Sequence, residues 1–154
     1  MNTALEKLAA DLGLSEPGRE RLKLAFAHAC VARIRHLLEE PQVIDSLRLF
    51  GQYLEGRLDE ASFAQLQADA ARLANQHQGS KSIDGCGHAA VSASYAVANA
   101  INGKALQAAS YAAYAAVYAD GGYGAVADRE AFEPEFAWQV DTLRAIAAAN
   151  RQPA

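Results

Sequence analysis

Apolar residues return every three or four positions through most of the chain. No stretch alternates with period two, so the pattern predicts helices and no sheet. Thr3 and Glu6 form a capping-box pattern that opens a short helix to Leu12, with Leu5, Leu8 and Leu12 on one side and Gly13 as its stop. A second helix is expected from Ser15, with Pro17 just inside, to about Glu39. Its wide apolar face, including Leu22, Phe26, Val31, Ile34 and Leu38, asks for more than one neighbour; His28 and His36 ride on it as packed or surface residues. Pro41 sits well in the first turn of a third helix, whose inward stripe is Ile44, Leu47, Phe50, Tyr53 and Leu54 and whose end is Gly56. Asp59 reads as the N-cap of a fourth, with Leu58 and Phe63 spaced as a hydrophobic staple. That helix is expected to end near His77, and Gln78 to Gly85 is a loop by composition.

From Gly87 to Ala119 the chain carries fourteen alanines and breaks only at Asn102-Gly103-Lys104. Alanine has the highest intrinsic helix propensity, so two helices joined by a tight turn are expected. Alanine buries little area, and such helices gain stability by approaching each other closely, near the short end of the roughly 8–10 Å range of axis separations. Arms small-sided nearly all round suit the centre of a bundle. Beyond them, Asp120-Gly121-Gly122-Tyr123-Gly124 reads as a flexible connector, and Pro134 opens a last helix that frays at Asn150. The expectation is an all-α, single-domain helical bundle over residues 1–154 with a central alanine-rich hairpin at about 87–119.

Polar residues on the hairpin are ordered. His88, Ser92, Tyr95 and Asn99 fall on one stripe of the first arm, and Gln107, Tyr111, Tyr114 and Tyr118 follow the same spacing on the second. Such a series suits a buried hydrogen-bond network or a face that binds a ligand. A second feature is the acidic, aromatic stretch from Tyr123 to Trp138, where Asp128, Glu130, Glu133 and Glu135 alternate with Phe132 and Phe136. Aromatic anchors ringed by charge resemble the energetic centre of a protein interface, although the same rings also suit packing of the last helix.

A length of 154 residues with 51% hydrophobic and 21% charged residues is that of a globular chain with its own core. The net charge of −4 argues against a general nucleic-acid binder and permits a basic protein partner. Two cysteines far apart, Cys30 and Cys86, are no disulfide framework, and the opening residues carry Glu6, Lys7 and Asp11, unlike a signal segment. A cytoplasmic location is therefore expected. Each hairpin arm falls short of the roughly 20 apolar residues of a membrane span.

Little catalytic chemistry is written in the chain. No histidine has Glu three residues before it, which excludes a di-iron bundle pattern. Asp84, Cys86 and His88, with His77 upstream, sketch a zinc site, but structural zinc usually takes paired close-spaced ligands, and no metal or other cofactor is expected. A Cys86–His88 nucleophile pair sits two residues apart, a poor spacing on a helix, and Gly85-Cys86-Gly87 lacks the Lys-Ser/Thr pair of a phosphate loop.

With GHAAVSASYAVANAINGKALQAASYAAYA in view, the chain resembles the fifth-class immunity proteins of bacterial polymorphic toxin systems, which are small, helical and alanine-rich. The likeness runs from Leu24 to Ala119: an early helix like LAFAHACVARIRHLLEE, a helix ending in Gly before LDEASFAQLQADAARLA, and a hairpin opened by Gly87-His88. Where the family has further histidines downstream, this chain has Ser94-Tyr95 and Asn99. The resemblance implies a non-enzymatic protein that neutralises one cognate toxin by stoichiometric binding, so no catalytic residue is carried over. Tyr123, Asp128, Glu130, Phe132 and Glu135 are the expected partner contacts. The alternative is a small helical enzyme or ligand-binding domain using His88, Ser92, Tyr95, Asn99 and Tyr111, and a homo-oligomer with the tyrosine face as its symmetric contact is a third reading.

Overall fold

Two alanine-rich helices, α5 (Cys86–Ile101) and α6 (Ala105–Val126), make the most extensive contact of any pair of elements. Ala93, Ala96, Ala100, Ala108, Ala112 and Ala115 are buried, and side chains this small let the two backbones close on each other. The computed structural model describes residues 2–75 and 86–150, and among them it contains α-helices and short 3-10 turns but no strand. The chain is all-α. The other helices are α1 (Thr3–Asp11), α2 (Glu20–Arg33), α3 (Pro41–Leu54), α4 (Glu60–Asn75) and α7 (Glu133–Ala149).

The bulky residues lie on the helices around the hairpin. α2, α3 and α4 pack on α5, α2 and α7 pack on α6, and α1 packs on α7. Phe26, Phe50 and Leu143 from these helices, with Ile34 just past the end of α2, are fully buried and join Val97 and Ile101 of α5 in one continuous cluster. The hairpin is thus covered on most sides by larger side chains, and among the described residues one side stays open.

The helix stops follow the glycines. Gly103 has φ +78; its N–H donates to the carbonyl of Ala100, and that of Lys104 to Asn99. This is the Schellman arrangement, which satisfies the last carbonyls of α5 and turns the chain into α6. The same bond pattern closes α1 at Gly13 and α3 at Gly56. Asp59 caps α4 by accepting from the N–H of Ser62 at 2.7 Å. Pro41 stands in the first turn of α3 and Pro134 in that of α7.

Three boundaries differ from expectation. The cap of α1 is Asn2, whose side-chain oxygen accepts from the N–H of Leu5; Thr3 is already the first helical residue. Asn2 also donates to Gln139 and to the carbonyl of Phe136, and Gln139 donates to the carbonyl of Ala109, so one buried polar chain ties α1 to α7 and α6. α2 begins at Glu20 rather than Ser15, because Gly18 at φ +91 interrupts the helical backbone, and it ends at Arg33, where Ile34 leaves helical geometry before a 3-10 turn at Arg35–Leu37. Finally, the expected connector at 120–124 is helical: α6 runs to Val126 and bends sharply at Gly122. The expected end of α4 near His77 and the loop from Gln78 to Gly85 lie outside the described residues.

His28 is half-buried and meets the ring of Phe50 edge-on at 5.2 Å. Gly51 leaves the space it occupies, since a Cβ there would sit 3.2 Å from the imidazole Nε2. His36 is exposed.

Two predictions follow from buried polar groups. The Ser94 hydroxyl is fully buried with no hydrogen-bond partner among the described residues. Ser94→Ala removes that desolvated group and raises helix propensity, so stability should rise by about 1–2 kcal/mol in a denaturant titration; a loss of stability would show that the hydroxyl is bonded. Burial holds His28 below its ordinary value of 6.5, partly offset by the carboxylate of Glu55. The unfolded chain therefore binds the proton more readily, and the stability associated with neutral His28 is full above pH 6.5 and falls as the pH drops toward the lower folded value. Melting temperatures between pH 7 and pH 5 should fall less steeply in His28→Gln than in the natural chain.

Candidate functional site

The polar stripes of the two hairpin arms meet on the open side of the bundle. The Tyr95 and Tyr111 rings stack at 5.6 Å across the arms, and Tyr114 stacks on Tyr118 at 5.9 Å. Tyr118 is buried, whereas Tyr111 is 40% and Tyr114 36% exposed. Between them lies a depression of about 310 Å³ lined by Ser92, Ser110, Tyr111 and Tyr114. The two stripes that sequence places on separate arms thus meet through Ser92, Tyr95, Tyr111 and Tyr114, whereas Asn99 faces α4 and Gln107 lines a groove beside α1.

Gly122 shapes one end of this surface. Its φ of 67° and ψ of −153° interrupt the helical run of α6, and this region of backbone space is essentially reserved for glycine. After the bend, the Tyr123 hydroxyl lies 3.0 Å from the His88 Nε2, with the Tyr123 ring edge-on to Tyr118 at 5.0 Å and to His88 at 5.7 Å. Tyr123 is nevertheless 67% exposed. Other side chains of the stripe are engaged by neighbours: Tyr95 donates to the side-chain oxygen of Asn75 on α4 at 3.1 Å, and Asn99 donates to the Tyr95 backbone carbonyl at 2.8 Å. Tyr95 and Asn99 also line a groove of about 200 Å³ between α4 and α5. That is below the roughly 300 Å³ at which small-molecule sites usually begin.

The acidic, aromatic stretch is not one surface. Asp128 caps a 3-10 turn at Arg129–Phe132 by accepting from the N–H of Glu130, and both acids are exposed. Phe132 is half-buried against Phe136 at 5.3 Å. Glu135 turns inward instead: its carboxylate accepts two-pronged hydrogen bonds from Arg33 of α2, as short as 2.8 Å, and the guanidinium lies 4.4 Å over the Trp138 ring. Glu135 and Trp138 thus strap α7 to α2, while Tyr123, Asp128 and Glu130 stay available at the surface. Arg33 is 102 residues from its partner, and nothing in the local sequence around it signals the pair.

Sequence also gave no sign of the groove of about 620 Å³ between the start of α1 and α7, lined among others by Asn2, Arg129, Phe132, Phe136 and Val140. As for reactive groups, burial, with Glu135 adding to it and Arg33 opposing, pushes the Cys30 thiol up to about 12, so it stays protonated and inert near neutrality. Among the described residues no group of three or more His, Cys, Asp and Glu could hold a metal ion. The His77–Asp84–Cys86–His88 sketch and the Gly85-Cys86-Gly87 turn fall largely outside the described residues. No described helix is long and apolar enough to cross a membrane.

Compared with known proteins, the chain matches no family model, no curated protein and no solved structure.

The bend at Gly122 is testable. No atom lies within 4 Å of a Cβ built there, so Gly122→Ala would cost backbone strain rather than a clash. It is expected to lose about 1–3 kcal/mol and to loosen Tyr123 from His88, while Gly124→Ala, equally uncrowded and without a positive φ, should be neutral or stabilising. Equal effects of the two substitutions in thermal denaturation would show that the bend is unimportant.

Proposed function

We propose that this chain is an immunity-type binding protein that neutralises one cognate bacterial toxin by stoichiometric contact in the cytoplasm of the producing cell. The observation that carries the reading is Tyr123, an exposed aromatic ring fixed by His88 and Tyr118 at the end of a packed helix pair, with the exposed acids Asp128 and Glu130 following it along the chain. A ring in a fixed position offers contact area at little entropic cost, and exposed acidic groups complement a basic partner and speed encounter. The resemblance over Leu24–Ala119 supplies the class of partner.

Phe132 adds half-exposed apolar area to this end, whereas Glu135 acts through the strap to Arg33 and contributes to the shape of the scaffold. The alternative of a small-molecule or catalytic site around His88 is less well supported, because the His88 Nε2 and the Tyr95 hydroxyl are already engaged by Tyr123 and Asn75.

Affinity purification of the full chain from its native host, followed by mass spectrometry, should recover one toxin in equimolar amount. Asp128→Lys with Glu130→Lys is then expected to weaken binding about tenfold or more, mostly through the association rate and most visibly at low salt. Tyr123→Ala should act on dissociation instead. Unchanged affinity in both variants would remove these residues as the contact, and the absence of any equimolar partner would remove the toxin-binding reading.

A further inference from the structure

We infer that the open side of the α5–α6 hairpin, centred on Tyr111 and Tyr114, is a self-association surface whose occupant is a second copy of this chain. The chain carries a net charge of −4, yet from Cys86 to Ala119 it has a single formal charge, Lys104, at the turn. Two copies that repel at long range can meet with least electrostatic cost where the charge is absent. A foreign partner of opposite charge gains nothing from such a face, because it offers no field to steer by.

The polar groups of this face also suit a copy of itself. Ser92, Ser110, Tyr111 and Tyr114 each carry a group that can both donate and accept a hydrogen bond. In a two-fold contact the same patch faces itself, so a surface of carboxylates or ammonium groups would meet its like, whereas hydroxyls can pair with their own kind. The shape is reciprocal too. The depression of about 310 Å³ between Tyr111 and Tyr114 has Ser92 and Ser110 as its other lining residues, and the two exposed rings beside it are the knobs that such a notch would receive from the second copy.

Size sets the strength. The arms from the start of α5 and the start of α6 to Ala119 are about 22–24 Å long, and two helices side by side give a footprint of roughly 400 Å² per copy. About 800 Å² in total falls below the roughly 1,200–2,000 Å² of stable specific interfaces and in the range of weak, transient contacts, so association is expected with a dissociation constant between micromolar and millimolar. The inference does not depend on toxin binding, which uses Asp128 and Glu130 instead.

The test is sedimentation equilibrium of the full natural chain across that concentration range. A monomer–dimer equilibrium is expected. The paired variants Tyr111→Lys with Tyr114→Lys, and Tyr111→Glu with Tyr114→Glu, should each raise the dissociation constant at least about tenfold, and mixing the two should restore dimers. A natural chain that stays monomeric to millimolar concentration overturns the inference, as does a dimer that both charged variants leave intact. Should either variant fail to fold by circular dichroism, hydroxyl-radical footprinting of the natural chain decides the matter. Reactivity of Tyr111 and Tyr114 should fall with rising concentration while that of Tyr53 on α3 does not, and unchanged reactivity of the hairpin tyrosines overturns it.

Discussion

The closeness of α5 and α6 is the constraint on which the rest of the structure depends. An alanine contributes little apolar area, so a helix pair built from it gains mainly by packing density and by the many small dispersion contacts that short side chains allow. The consequence is directional. With little bulk of its own, the hairpin needs larger side chains from outside, and the surrounding elements present Phe26, Phe50, Ile34 and Leu143 toward it. Replacing a buried alanine such as Ala108 or Ala112 by leucine would force the axes apart and disturb every helix stacked on them, a cost of the overpacking kind.

Polar groups finish what the apolar contacts start. Helix α7 places Leu143 and Ala147 in the core, and two polar devices add to its attachment. One is the buried chain from Asn2 through Gln139 to the Ala109 carbonyl; the other is the Arg33–Glu135 pair with Trp138 beneath the guanidinium. The first is enclosed and fully paired, so loss of one member strands the others away from water. The second is half in solvent, and its value lies in the planar two-pronged geometry and the aromatic face rather than in charge alone.

Legibility in the sequence follows the range of the forces. Gly13, Gly56 and Gly103 were readable as stops because a left-handed residue after a helix is a local requirement, and Asp59 was readable as a cap for the same reason. The all-helical class followed from apolar spacing. The start of α2 was misplaced because Ser15 and Pro17 make a respectable local start, which Gly18 then overrides. Gly121-Gly122 looked like loop composition, yet the helix resumes after one residue and is held there by the Tyr123 contacts with His88 and Tyr118, which are 35 and 5 positions away. Asn2, Gln139 and the Arg33–Glu135 pair were invisible for a simpler reason: each is defined by a partner more than 100 residues distant, with Gln139 also reaching Ala109. The candidate surface was legible in its residues and not in its grouping. Spacing placed His88, Tyr95 and Tyr111 on stripes, but only the fold shows that the two stripes meet and that Glu135 leaves the acidic group.

The choice of tyrosine for the open side has a physical logic of its own. A face of small residues alone would leave the hairpin backbone close to water and its packing shallow. Leucine or phenylalanine there would cover it but leave a purely apolar patch prone to indiscriminate contact. Tyrosine covers the alanines with its ring and presents a hydroxyl outward, so the same side chain shields the helix pair and keeps the surface wettable. Tyr118 illustrates the inner limit, buried under Tyr114 and Tyr123, and Tyr123 the outer one, mostly exposed yet fixed through its hydroxyl to His88. A series graded in this way holds each ring in place from its neighbour, which is why the open side of an alanine hairpin can be rigid without being closed.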